Sequence, residues 1–131
     1  KKDKKFIQKI MKQIYDGKKE LHIVNDKLGT PAYTHDFAEN VKLLIENGKR
    51  GLFNMVCSGL TSRLDVATEM IKILNLQNEI KIIEVNSDYF SEEYFAERPD
   101  CERLINKKLD DLKLNLMRDW KVALSDYLKV Y

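Results

Sequence analysis

Long apolar runs, clustered glycines and any pairing of cysteines or histidines are missing from this 131-residue chain. No uninterrupted apolar stretch approaches the roughly 20 residues that cross a bilayer, and the opening residues are too charged for a signal core. The expectation is a cytoplasmic protein with no membrane partner. The two cysteines, Cys57 and Cys101, lie far apart without Cys-x-x-Cys spacing, so both read as free thiols in a reducing compartment. The two histidines, His22 and His35, have no second ligand spaced for zinc, and each reads as an ordinary sheet or surface residue. Five glycines, at 17, 29, 48, 51 and 59, stand singly. Neither a Gly-x-Gly-x-x-Gly fingerprint nor a phosphate-binding P-loop can be written from them, so this chain alone is expected to bind no nucleotide cofactor. The net charge of +2, from 23 basic and 21 acidic residues, lacks the one-sided positive field of a nucleic-acid binder, and no nucleic acid is expected as a partner. The basic cluster Lys1, Lys2, Lys4 and Lys5 reads as a solvated chain end.

What is present is ordinary globular material. Hydrophobic residues make up 44% and charged residues 34%, which predicts a single domain over residues 1–131 whose core needs no disulfide or metal. Phe6, Ile7, Ile10, Met11 and Ile14 share a helical face, so a helix is expected over about residues 4–16, stopped by Gly17. Leu21-His22-Ile23-Val24 reads as a short strand, and Lys27 to Pro31 as an irregular loop. Thr34 or Asp36 is expected to cap a second helix with an apolar stripe of Phe37, Val41, Leu44 and Ile45, ended at Asn47-Gly48. Residues 51–56 look like a middle strand. Ser62 with Asp65 forms a variant capping box for a third helix running to about Leu74. Ile80 to Val85 is β-branched and reads as a third strand. Leu109, Leu112 and Leu114 suggest a helical turn, and Trp120 to Leu128 a terminal helix. The fold class is therefore α/β, about four helices on a small and partly incomplete sheet, with an edge that could pair outside the chain.

Candidates for chemistry are few. Tyr15 and Lys19 satisfy Tyr-x-x-x-Lys, but Gly17 between them breaks the helix that would align the pair. Ser58 and Ser62 lack an adjacent base and read as turn and cap residues. Glu92, Glu93, Asp100 and Glu102 read as solvated carboxylates. Arg98 stands before Pro99, which disfavours helix there, and follows Tyr89, Phe90, Tyr94 and Phe95. A guanidinium fork beside aromatic rings suits phosphate and a ring, and suits a structural ion pair as well.

The run Asn25-Asp26-Lys27-Leu28-Gly29-Thr30-Pro31-Ala32-Tyr33-Thr34-His35-Asp36-Phe37-Ala38 resembles, in order, the stretch D-Q-x-G-S-P-T-x-x-x-D-L-A of the dTDP-4-dehydrorhamnose reductase family. Phe6, Gly51 with Phe53, Ser58-Gly59, Ser62, and Arg98-Pro99 with Leu104, Lys108 and Leu109 also fall at that family's spacing. Trp120 and Leu124 fit its closing W-x-x-x-L. The resemblance covers nearly the whole chain. Lys27 stands where glutamine is usual, Thr30 for serine, Ala32 for threonine and Arg63 for tryptophan, which leaves the exact sugar nucleotide open.

The resemblance implies the C-terminal, substrate-binding region of an extended short-chain dehydrogenase. The N-terminal Rossmann domain, with the glycine-rich loop, the Ser/Thr-Tyr-Lys set and the NADPH or NADH it holds, is then expected outside this chain. The implied reaction is reduction of the C4 keto group of dTDP-4-dehydro-L-rhamnose, and the implied partners are a dTDP-hexulose, the Rossmann domain and, compatibly, a second copy as a homodimer. The chain would have no catalytic residue of its own. A non-catalytic sugar-nucleotide-binding or regulatory subunit of the same fold, or a related nucleotide-sugar epimerase or reductase, is the alternative. Arg98, Gly29, Thr30, Pro31, Tyr33 and Tyr94 are the substrate-binding residues this implies.

Overall fold

A computed structural model of the chain describes residues 6–92 and 99–130. The N-terminal lysine cluster, Tyr94 and Arg98 lie outside the described residues. The chain divides into two compact units, one of residues 1–27 and 62–100, the other of 28–61 and 101–131.

In the first unit, helix α1 (Phe6–Tyr15) buries Ile10 and ends where Gly17 takes φ +81°, a left-handed turn in which the Gly17 and Lys18 amides donate to Ile14 and Gln13. Strand β1 (Glu20–Val24) follows, with Leu21, Ile23 and Val24 buried. Helix α3 (Arg63–Ile73) packs on β1, and its Ser62–Asp65 capping box forms as the sequence predicts. It buries Val66, Ala67, Met70 and Ile71, then turns through Asn75, at φ 56°, into strand β3 (Lys81–Val85). β1 and β3 pair in parallel from Glu20↔Lys81 to Val24↔Val85. A 3-10 turn, Ser87–Phe90, follows β3.

The second unit holds the two-residue strands β2 (Leu28–Gly29) and β4 (Cys101–Glu102), which pair in parallel, and helices α2 (Thr34–Glu46), α4 (Lys107–Asp111) and α5 (Trp120–Leu128). Its core includes Leu44, Cys57, Leu109, Met117, Trp120, Leu124 and Leu128. Gly59, at φ +93°, lies against the indole: a Cβ there would come within 2.7 Å of Trp120 Cδ1. That close approach demands glycine.

Three sequence expectations are corrected here. Residues 51–56 form no strand: among the described residues no strand pairs with them. Side chains hold the run instead: the buried Asn106 amide accepts from Val56 N at 3.0 Å and donates to Val56 O at 2.7 Å, and Lys108 Nζ donates to Leu52 O at 2.9 Å. Neither Thr34 nor Asp36 caps α2; Tyr33 occupies the cap position with no side-chain bond, and Asp36 turns to Arg118. The buried stripe of α2 is Asp36, Asn40 and Leu44, while Phe37 and Ile45 are exposed. Asn40 faces inward because its amide pairs with the backbone of Leu114 and Leu116 at 2.9 and 2.8 Å. The helical turn expected near Leu109 forms as α4, one of five α-helices among the described residues.

Asn106→Ala removes both bonds to Val56 and leaves part-buried backbone groups unpaired. Urea denaturation is expected to show a loss of about 2–3 kcal/mol.

Candidate functional site

The first unit contains a cavity of about 890 Å³, within the size range of small-ligand sites. α1 supplies Phe6 and Lys9 to its wall, the turn after that helix Lys18, and the first turn of α3 Arg63. The Arg63 guanidinium lies 5.8 Å from the centroid of the Phe6 ring. From β1 comes His22, whose ring stacks on Tyr89 with centroids 5.0 Å apart and planes 5° from parallel. Phe90 meets Tyr89 edge-on at 5.0 Å. Cations and flat rings thus line one space, and both Asp88 and Asp100 belong to it as well.

The motif residues Asn25, Asp26 and Lys27 tie down the far wall. The Asn25 backbone N–H donates to Val85 O at 3.0 Å. Asp26 Oδ2 accepts from Ser87 N at 3.0 Å and from Ser87 Oγ at 2.8 Å. Lys27 Nζ pairs with Asp100 Oδ1 at 2.7 Å. The Ser87 amide holds the Asp26 carboxyl below the ordinary carboxylate range, and the Asp100 carboxylate holds the Lys27 ammonium above its ordinary range.

Of the residues expected to bind substrate, Gly29, Thr30, Pro31 and Tyr33 lie together in the second unit. Gly29 pairs with Glu102 and donates its N–H to Thr61 O at 3.1 Å, and Pro31 O accepts from Cys57 N at 2.8 Å. Thr30 is half-buried beside them. The Tyr33 ring lies 5.2 Å from His35, edge-on to Tyr127 at 6.4 Å, and 5.9 Å from the Arg118 guanidinium carbon. Arg118 is itself anchored on Asp36 and Asp126 at 2.9 and 2.7 Å, contacts that raise its proton affinity further. Tyr15 is 92% exposed and Lys19 pairs with Glu79 at 3.4 Å, so the two do not form a catalytic couple.

Sequence reasoning missed the cavity set. His22 reads as a plain sheet residue and Tyr89 as one aromatic among several; only the parallel register of β1 and β3 brings them together. Lys9, Lys18 and Arg63 carry no motif, apart from the departure of Arg63 from tryptophan. Among the described residues no group of three or more His, Cys, Asp or Glu side chains is placed to hold a metal ion. The glycines stand singly, and Gly59 packs against Trp120, where a Cβ would come within 2.7 Å of Cδ1.

Fold and cavity define a small α/β binding module. The chain belongs to the family described as RmlD substrate binding domain, whose pattern matches residues 1–131. It is 28% identical over 124 residues to a spore coat polysaccharide biosynthesis protein of Bacillus subtilis, a match covering 95% of this chain and 41% of that one. The crystal structure of a dTDP-4-dehydrorhamnose reductase from Clostridium acetobutylicum superposes with a TM-score of 0.88 at 26% identity, over 98% of this chain and 44% of that one. A dTDP-4-dehydrorhamnose reductase from Bacillus anthracis, solved in complex with NADP, shares the fold with a TM-score of 0.87 at 19% identity, over 100% of this chain and 45% of that one. The chain thus spans less than half the length of each of these relatives.

Because the folded-state Asp26 carboxyl is depressed, its tie to Ser87 contributes fully above the ordinary carboxylate range and is lost as pH falls through the lower, folded value. Protection of the Ser87 amide, its exchange rate relative to that of an unfolded chain at the same pH, is expected to hold through mild acid and to fall only below that range, as read by NMR.

Proposed function

We propose that this chain is the substrate-binding part of an NAD(P)H-dependent sugar-nucleotide reductase that converts dTDP-4-dehydro-L-rhamnose to dTDP-L-rhamnose by reduction at C4. In that role it serves nucleotide-sugar and cell-surface polysaccharide synthesis in the cytoplasm. The observation that carries this reading is the family match along residues 1–131. The cavity supports it chemically: Lys9, Lys18 and Arg63 suit a diphosphate, and the His22–Tyr89 ring pair suits a nucleobase.

The single glycines of this chain spell no dinucleotide fingerprint, which supports assigning NADPH or NADH binding to a Rossmann domain that acts with it, in a monomer or a homodimer. What these residues contribute is binding, orientation and exclusion of water around the sugar nucleotide. Arg98 and Tyr94 are our candidates for diphosphate and ring contacts, with Gly29, Thr30, Pro31 and Tyr33 as a second set.

Calorimetric titration with thymidine 5′-diphosphate tests the reading. Saturable binding is expected, weakened about tenfold by Arg63→Ala through loss of a charge-assisted contact. Absence of binding at millimolar nucleotide would sink the proposal. In a protein joining this chain to its Rossmann domain, NADPH-dependent reduction of the keto sugar is expected; nucleotide binding without turnover would favour the non-catalytic binding subunit.

A further inference from the structure

We propose that Asp26 is a positioning residue: without touching ligand, its carboxylate fixes the Ser87–Phe90 turn so that Tyr89 stays stacked on His22 as the ring wall of the cavity. The role as a ligand wall rests on the nucleotide reading of that cavity; the positioning itself rests on geometry alone.

The geometry follows from the sheet. β1 and β3 pair as far as Val24↔Val85, and Asp26 meets Ser87 at the same sequence offset of 61 residues. The side-chain bonds therefore continue the register where the backbone ladder has stopped. Beyond that point the turn's backbone bonds are local, among them Ser91 N to Asp88 O at 3.0 Å. A 3-10 segment of four residues is short and its bonds are poorly aligned; here Tyr89 N reaches Asn86 O only at 3.3 Å. Asn86, in the cap position, provides no side-chain bond. Asp26 fills that place from another element, one carboxylate oxygen accepting from both the N–H and the hydroxyl of Ser87. Packing alone does not fix the Tyr89 ring, which is 57% exposed. Its position depends on the backbone that carries it and on the 5.0 Å stack with His22.

Two readouts test this in the full chain. NMR follows the His22 ring protons, which the stacked tyrosine shifts upfield. Asp26→Ala is expected to abolish that ring-current shift, as Tyr89→Leu does, while Asp26→Asn retains most of it because an amide oxygen still accepts from Ser87. Unchanged His22 shifts in Asp26→Ala would overturn the inference. Calorimetry with thymidine 5′-diphosphate is expected to show about tenfold weaker binding for Asp26→Ala and for Tyr89→Leu, with no further loss in the double variant. Losses that multiply would show that Asp26 does not act through Tyr89, and would overturn it too. If the unaltered chain binds no nucleotide, the functional reading fails, and the ring-current measurement still decides whether Asp26 positions the turn.

Discussion

The parallel pairing of β1 with β3 is the constraint on which the first unit depends. Two parallel strands cannot be closed by a tight turn; the chain must leave one and come back to enter the next in the same direction. Here the return is made by α3, which buries Ala67, Met70 and Ile71 and lies on β1 before feeding β3 through the left-handed turn at Asn75. The rest of that excursion, residues 28–61, belongs to the second unit. The same register sets His22 opposite Ile83 and carries the chain past Val85 into the turn that bears Tyr89. The cavity wall is thus a consequence of strand direction, not of residues adjacent in sequence.

Local signals were legible where a local cause decides the structure. Gly17 stops α1, and Ser62 with Asp65 starts α3, because a left-handed residue and a reciprocal cap are properties of a few consecutive residues. β1, β3 and the terminal helix beginning at Trp120 follow their apolar patterns in the same way. The failures share one cause, since each depends on a partner distant in the chain. Residues 51–56 have a strand-like composition, yet Asn106, 50 positions beyond Val56, is what pairs with them. Asp36 stands where a cap could form, but Arg118, 82 positions away, takes its carboxylate.

The site shows the same division. The motif from Asn25 onward was legible as a family signature, and that resemblance agrees with the family match over the whole chain. What its residues do physically was not legible. Gly29 and Pro31 serve backbone pairing in the second unit, whereas Asp26 and Lys27 bond to the wall of the cavity in the first. The basic residues of that wall, drawn from α1, the turn after it and the start of α3, have no sequence spacing in common.

Irregular backbone in this chain is repeatedly satisfied by short polar side chains in place of a regular ladder. Asn40 serves Leu114 and Leu116, Asn106 serves Val56, and Asp26 serves Ser87. An unpaired backbone group in a buried segment costs about 1–3 kcal/mol, so such side chains specify one path for a segment that has no sheet neighbour. The two asparagines are buried, and the segments they hold lead directly into the core residues Cys57 and Met117 of the second unit. Asp26 is exposed, so its bonds compete with water, and the backbone it holds belongs to a cavity wall instead of a core. The same device therefore acts as a fixed strut where it is dry and as a tie sensitive to its environment where it is wet. A ring wall that depends on the wet version can be tuned by changes at Asp26 and Ser87 that leave the buried core of β1, α3 and β3 untouched.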